Sequence, residues 1–235
     1  MSRILVWDAA TRLLHFGIAG TLTAALAIGL GVDDDSPLFA YHMLCGLAAG
    51  FLVALRIVLG VIGSRYARFS TWAWSPAELV RYAKDVATGR GARHVGHNPG
   101  TTWMATGVFV FTGMLIATGI AGGEEFEDVH EVLAYVLGGL IVLHLAGIAV
   151  HTIRQRENIA WSMVNGRKEG PTEAGLKRHG GVAAVIWSAV ALAGALALFR
   201  GYDPAAERVR VVGLEIPLNA EDERENASEE EGGDD

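Results

Sequence analysis

The chain has 235 residues, 51% of them hydrophobic, and a formal net charge of −7. That apolar content is gathered in long runs rather than in amphipathic stripes, which excludes an ordinary soluble globular domain; the negative charge argues against a nucleic-acid partner. The single cysteine, Cys45, excludes both a disulfide framework and a C-x-x-C-H haem attachment, so any haem would be held non-covalently, as b-type haem is.

A bilayer core about 30 Å thick needs about 20 apolar residues of helix. The first run that qualifies spans Leu13 to Gly31, preceded by an interfacial stretch from near Val6. A cleaved leader is the competing reading of this run. The lack of an A-x-A site and the acidic residues directly after it favour a retained span. The second span runs from Leu38 to Gly63, the third from Thr102 to Gly122, the fourth from His130 to His151 and the fifth from Gly181 to Phe199. The connections alternate in charge. VDDDSP after the first span and GGEEFED after the third carry no basic residue. The connection after the second carries Arg65, Arg68, Arg81, Lys84, Arg90 and Arg93, and that after the fourth carries Arg154, Arg156, Arg167, Lys168, Lys177 and Arg178. Lys and Arg concentrate on the cytoplasmic side of membranes, so the N-terminus is expected in the cytoplasm and the C-terminus outside, in the periplasm of a bacterium.

Of the eight histidines, His94, His97 and His179 fall in the basic connections. His15, His42, His130, His144 and His151 lie in or at the edge of spans, where an ionisable side chain is costly and each is a functional candidate. The competing reading of any one of them is a hydrogen bond that ties helix to helix. Spacing favours function for the set. His130 and His144 are 14 residues apart, so they share a helix face to within about 40° and stand about 21 Å apart along the axis. His42 is expected at the depth of His130, and His15 at that of His144. Two pairs at two depths suit bis-imidazole ligation of two stacked haems, whereas a mononuclear metal site wants three or four converging ligands. His151, two turns beyond His144, is an alternative partner for His15, or else a contact for a haem propionate or a quinone. Arg12 and Arg56 are candidates to pair with propionates, the alternative being that their side chains snorkel to the interface. Gly46, Gly50, Gly138, Gly139 and Gly147 flank the histidines, where ordinary helix packing competes with haem approach as the reason for a small residue.

These segments resemble a known family. VWDAATRLLHF (Val6 to Phe16) is similar to the opening V-W-D-x-x-x-R-x-x-H-W/F of the bacterial cytochrome b561 and nickel-iron hydrogenase b-type cytochromes. In order there follow His42 with Gly46, LRIVLGVIGSRYARF (Leu55 to Phe69), GHNPG (Gly96 to Gly100) with Trp103, HEVLAYVLGGLIVLHLAG (His130 to Gly147) and HTIRQRENIAWSMVNGRK (His151 to Lys168). The resemblance implies a four-helix membrane cytochrome with two b haems, His15 paired with His144 for the cytoplasmic haem and His42 with His130 for the periplasmic one. It also implies a quinone near the cytoplasmic haem. That makes His97 and Asn98 candidates for quinone contact, with Arg156, Glu157 and Asn158 behind them; a turn before Pro99 is the competing role for Asn98.

The expected fold is therefore all-α: a four-helix membrane bundle over residues 1–168 binding two haems, a linker and fifth transmembrane helix over 169–200, and an acidic tail over 201–235. RVRVVGLEI (Arg208 to Ile216) has the pattern of a strand available to a partner, and EDERENASEEEGGDD (Glu221 to Asp235) that of a solvated, disordered segment. The acidic tail suits either solubility or attraction of a basic c-type cytochrome. The expected function is electron transfer across the bacterial inner membrane, between a periplasmic redox partner such as a c-type cytochrome, dehydrogenase or hydrogenase and the respiratory quinone pool. The alternatives are a stand-alone quinone-linked oxidoreductase acting on a small molecule such as superoxide, and a haem-free membrane scaffold.

Overall fold

The computed structural model describes residues 2–34, 36–90, 94–177, 180–203, 208–211 and 213–217. In chain order the elements are β1 (Ser2–Leu5), α1 (Ala9–Gly31), α2 (Ala40–Ile62), α3 (Pro76–Thr88), α4 (Pro99–Ala121), α5 (Glu124–Gln155), α6 (Trp161–Asn165), β2 (Arg167–Gly170), α7 (Gly181–Gly201), β3 (Tyr202–Asp203), β4 (Arg208–Val211) and β5 (Leu214–Pro217). Among the described residues five helices, α1, α2, α4, α5 and α7, are long and apolar enough to cross a bilayer. Their outer surfaces remain apolar: Val61, Val142, Leu143, Val182 and Val185 are exposed as they would be to lipid.

α1 packs on α2, α4 on α5, and α2 meets α4, while α1 and α5 do not pack closely. The bundle is thus two helical hairpins hinged along α2 and α4, with a slot between them. Ile18, Leu22, Ala49, Val53 and Leu137 fill the middle of that slot as a buried apolar layer. The α4–α5 connection is sharp because Gly122 and Gly123 both take positive φ, 59° and 85°, a backbone that other residues resist. α7 packs on α1 and α2, outside the slot, with Trp187 against Ala10, Leu14 and Leu59, and with Phe51 close over Gly194.

At the basic end a small cap closes the bundle. β1 pairs antiparallel with β2, from Ser2 opposite Gly170 to Leu5 opposite Arg167. Ile4, Val6, Trp7 and Tyr66 form its core, covered by Val95, Met163, Ala174 and Leu176. Gly166 is tied to the N-terminal segment, its carbonyl accepting from the Val6 and Trp7 amides at 2.8 and 3.0 Å; a Cβ there would sit 2.5 Å from the Trp7 carbonyl oxygen. At the acidic end β3, β4 and β5 form an antiparallel sheet with β4 central. Val209 of β4 is buried against Leu44 and Leu198.

Two expectations need correction. The fold is not wholly α: β1 and β2, each too short for periodicity to reveal, pair at the basic end, and β3 to β5, the last two within the segment already read as strand-like, form a sheet near the C-terminus. Residues 169–176 are not a plain linker, since β2 runs to Gly170 and Leu176 donates its amide to the Leu5 carbonyl at 2.8 Å. Beyond those two, the connection between the second and third spans, for which no structure was expected or excluded, contains a helix, α3, started by Ser75 capping Glu78 and by Pro76 at its first turn. The segment read as a strand for a partner, Arg208 to Ile216, spans β4 and most of β5: β4 is paired on both edges within the chain, and β5 is an edge strand of that sheet. Arg93, Arg178, His179 and the acidic segment 218–235 lie outside the described residues.

Candidate functional site: paired intramembrane histidines

Each hairpin contributes imidazoles to the slot. His42 of α2 and His130 of α5 face one another with ring centroids 5.9 Å apart, toward the acidic end. His15 of α1 and His144 of α5 do the same at 6.4 Å, toward the basic end. The structure therefore brings His144, rather than His151, to His15. His151 lies instead beside Glu157, Nε2 to Oε2 3.9 Å. Among the described residues no three His, Cys, Asp or Glu side chains converge as a metal cluster would require.

The first pair is held in a defined tautomer. His42 Nδ1 lies 2.8 Å from the Ala25 carbonyl oxygen, which only accepts, so Nδ1 carries the proton. His130 Nδ1 lies 3.0 Å from Thr118 Oγ1, which also lies 3.0 and 3.1 Å from the carbonyl oxygens of Met114 and Leu115. With its single hydrogen given to either carbonyl, the hydroxyl accepts from His130 Nδ1–H, and both rings then keep Nε2 as a lone pair. A histidine that ligates a metal is oriented in this way by the hydrogen bond at its other nitrogen. Gly29 makes room for His42: a Cβ there would stand 2.7 Å from Nδ1. Around the pair is a cleft enclosing about 590 Å³ including its open mouth, lined by Leu22, Gly46, Thr112, Ile116 and Leu137 besides the histidines. A Cβ on Gly46 would meet nothing within 4 Å, so this glycine borders open space, whereas Gly50 is filled by Ile116, its Cδ1 2.1 Å from such a Cβ. Gly138, Gly139 and Gly147 likewise have nothing within 4 Å of an added Cβ.

The residues present fit b haems. An imidazole nitrogen ligates a metal from about 2 Å, with the ring centroid about 1 Å further out, so two imidazoles on opposite faces of one ion stand roughly 6 Å apart. Both observed separations lie at that value. Thr112 Oγ1 in the cleft wall and His15 Nδ1 are buried with no hydrogen-bond partner among the described residues.

The opening motif builds the basic end. Val6 is fully buried. Trp7 donates Nε1 to Ser162 Oγ at 3.2 Å and meets the His97 ring edge-on at 4.9 Å. Asp8 caps α1, accepting from the Thr11 amide at 2.8 Å and from the Ser64 hydroxyl. Arg12 donates to the Val164 carbonyl, and its Nε is buried without a partner. Arg56 does not snorkel to the surface: it is 6% exposed, donates Nη1 to the Ala67 carbonyl at 3.2 Å and lies over Phe69 and Trp72. His97 is sandwiched between Trp7 and Trp72, the latter 4.6 Å away, with Nδ1 buried and unpartnered. Burial, with the charges of Arg56 and Lys168 adding to it, holds the His97 imidazole down to about 3, so it is neutral. Lys168, 5% exposed, donates to the His94 carbonyl at 2.7 Å, and burial lowers its ammonium to about 8 against the opposing pull of Glu157.

Asn98 is the N-cap of α4: its Oδ1 accepts from the Thr101 amide at 2.8 Å, and the Thr101 hydroxyl returns to the Asn98 amide. That oxygen is therefore engaged in the fold. Asn158 accepts from the Trp161 amide at 3.2 Å at the start of α6, Glu157 accepts from the Glu169 amide at 2.9 Å, and Arg156 takes a positive φ of 52° where α5 ends. Sequence reasoning missed Gly29, Thr118 and the Ala25 carbonyl, whose roles depend on contacts between helices that no spacing within one helix reveals.

A multi-span helical membrane protein with imidazoles paired across the slot between two hairpins is the architecture of a membrane b-type cytochrome. Residues 6–166 match the prokaryotic cytochrome b561 family, and the chain belongs to it. No curated protein and no solved structure matches the chain. Membership makes the protein a b-type haem protein of transmembrane electron transfer.

Proposed function

We propose that the chain holds two b haems, one between His42 and His130 and one between His15 and His144, and passes electrons between a redox partner on the acidic side and membrane quinone on the basic side. The observation that carries this reading is the pairing of four imidazoles at two depths, each pair spaced for one ion between its rings. Haem, when bound, supplies one-electron iron chemistry. The chain's own residues orient it and keep it dry. The Ala25 carbonyl and Thr118 fix the ring tautomers, Gly29 and Gly46 leave room, and Leu22 and Leu137 line the wall.

At the basic end the buried Arg56 guanidinium has donors to spare, and we assign it with Arg12 to carboxylates of the nearer haem. His97 and Asn98, with His151, Arg156, Glu157 and Asn158 of the other basic connection, are the candidates for quinone contact. The clean alternation of basic and acidic connections puts the N-terminus in the cytoplasm and the C-terminal sheet in the periplasm of a bacterial inner membrane. The periplasmic partner is a redox subunit such as a c-type cytochrome, dehydrogenase or hydrogenase. The test is the haem-to-protein ratio of the purified chain, with axial ligands read by electron paramagnetic resonance. Two haems with bis-imidazole spectra are expected; a single haem, or none, overturns the reading.

A further inference from the structure

We propose that α3 is an interfacial helix that seats anionic phospholipid headgroups at the basic face of the bundle. This goes beyond the haem reading and does not rest on it.

The depth of α3 is fixed by its contacts with span ends. Tyr82 packs on Gly100, the second residue of α4, where an added Cβ would be 2.8 Å from the ring. Arg154, one residue before the end of α5, donates to the Val86 carbonyl. The helix is thus level with the ends of two membrane spans. No residue of α3 is buried. Leu79, Tyr82 and Val86 are half-buried and make the side that faces the protein, while Val80, Ala83 and Ala87 are exposed. At about 100° per residue, this exposed apolar stripe is centred about a quarter turn from the protein-facing one. A helix lying flat beside a bundle has its protein neighbour to one side and lipid beneath it, and that geometry calls for two apolar stripes so disposed.

The charges are graded around the same axis. Lys84 and Arg81 lie about 60° and 120° from the centre of the exposed stripe, Asp85 and Glu78 about 160° and 180°. Both cations thus lie on one lateral side of the helix, away from the protein, Lys84 nearer the lipid-facing stripe and Arg81 nearer the water, and the two carboxylates point away from the lipid. Arg65, Arg68 and Arg90 extend the basic character at either end, and Trp74, 43% exposed, stands just before the helix, an amphipathic ring of the kind that settles at headgroup level. Charge complementarity selects an anionic headgroup over a zwitterionic one.

The test uses the full-length, haem-loaded protein in nanodiscs of phosphatidylcholine with and without phosphatidylglycerol. In a Cys45→Ala background, spin labels are placed at Val80→Cys, Ala83→Cys and Glu78→Cys. Labels at 80 and 83 should be reached by oxygen and shielded from an aqueous nickel chelate, with the reverse at 78. Equal aqueous access at all three, or shielding from both reagents that persists in detergent and so marks a protein cover, overturns the proposal. Native mass spectrometry should show phosphatidylglycerol retained over phosphatidylcholine, with retention falling roughly tenfold in the Arg81→Gln/Lys84→Gln variant and unchanged in Glu78→Gln. The haem spectrum reports whether each variant is folded, and Lys84→Gln alone, with a several-fold fall, serves if the double variant is not. Wild-type retention in a folded, neutralised variant overturns the headgroup assignment.

Discussion

His42 and His130 each commit Nδ1 to an acceptor supplied by a different helix, Ala25 of α1 and Thr118 of α4. With Nδ1 so engaged, the remaining nitrogen is the one that would ligate in the proposed haem site. His42→Ala and His130→Ala should accordingly abolish the same haem and leave the other, read as loss of one redox component in a potentiometric titration; loss of different haems would refute the pairing. Thr118→Val should weaken that same haem by roughly tenfold or more, the usual consequence of deleting an outer partner of a ligand, and Gly29→Ala should do so by pushing His42 aside. His151→Ala should keep both haems. His97 titrates on a separate axis. Its imidazole is held neutral down to about 3 in the fold, whereas in the unfolded chain it takes a proton near its ordinary value of 6.5. The unfolded state therefore binds the extra proton as pH falls below that ordinary value, and stability is lost toward acid pH. Thermal unfolding in detergent at about pH 7.5 and about pH 5 should show that loss in the wild type and a smaller one in His97→Gln.

At the scale of elements, local hydrogen bonding occupies residues that also looked like ligands: Asn98 caps α4, and Asn158 accepts from the Trp161 amide at the start of α6. Asp8 caps α1 and joins it to Ser64 beyond α2. Asn98→Ala should cost about 1 kcal/mol of stability, and Asn98→Asp, which caps equally well, should restore it. If Asn98→Asp restores stability and yet raises the quinol KM severalfold, the outward amide contacts quinone; an unchanged KM leaves the cap as its role. α3 was hidden in the sequence by its mixed composition, although Ser75, Pro76 and Glu78 carry a start signal. β1 and β2 were hidden for another reason. Each has four residues, and their pairing joins positions more than 160 apart in the chain, as Arg3 opposite Glu169 shows.

For the molecule as a whole, two hairpins meet along α2 and α4 and leave a slot between α1 and α5. The buried layer of Ile18, Leu22, Ala49, Val53 and Leu137 keeps the two imidazole pairs apart in a medium without water. The C-terminal end of α7 and its terminal sheet, beyond the family match, pack on α2 at Leu44, two residues from His42, beside the acidic end of the bundle. The orientation is checked by impermeant thiol labelling of intact cells in a Cys45→Ala background. Asp33→Cys should label from outside and Ser70→Cys only after permeabilisation. Labelling of Ser70→Cys in intact cells would invert the topology.

Apolar runs and the fourteen-residue spacing of His130 and His144 determined by themselves the spans and two histidine depths, and alternating loop charge supplied the expected direction, because each is a one-dimensional property of a helix in a bilayer. Only the tertiary structure decided that His144 rather than His151 meets His15, that Arg56 is buried under Phe69 and Trp72, and that Gly29 and Thr118 serve the histidines. These are contacts across helices. Which face of α5 meets which face of α1 and α2 is set by packing, which depends on every neighbour at once and leaves no periodic mark in the residues concerned.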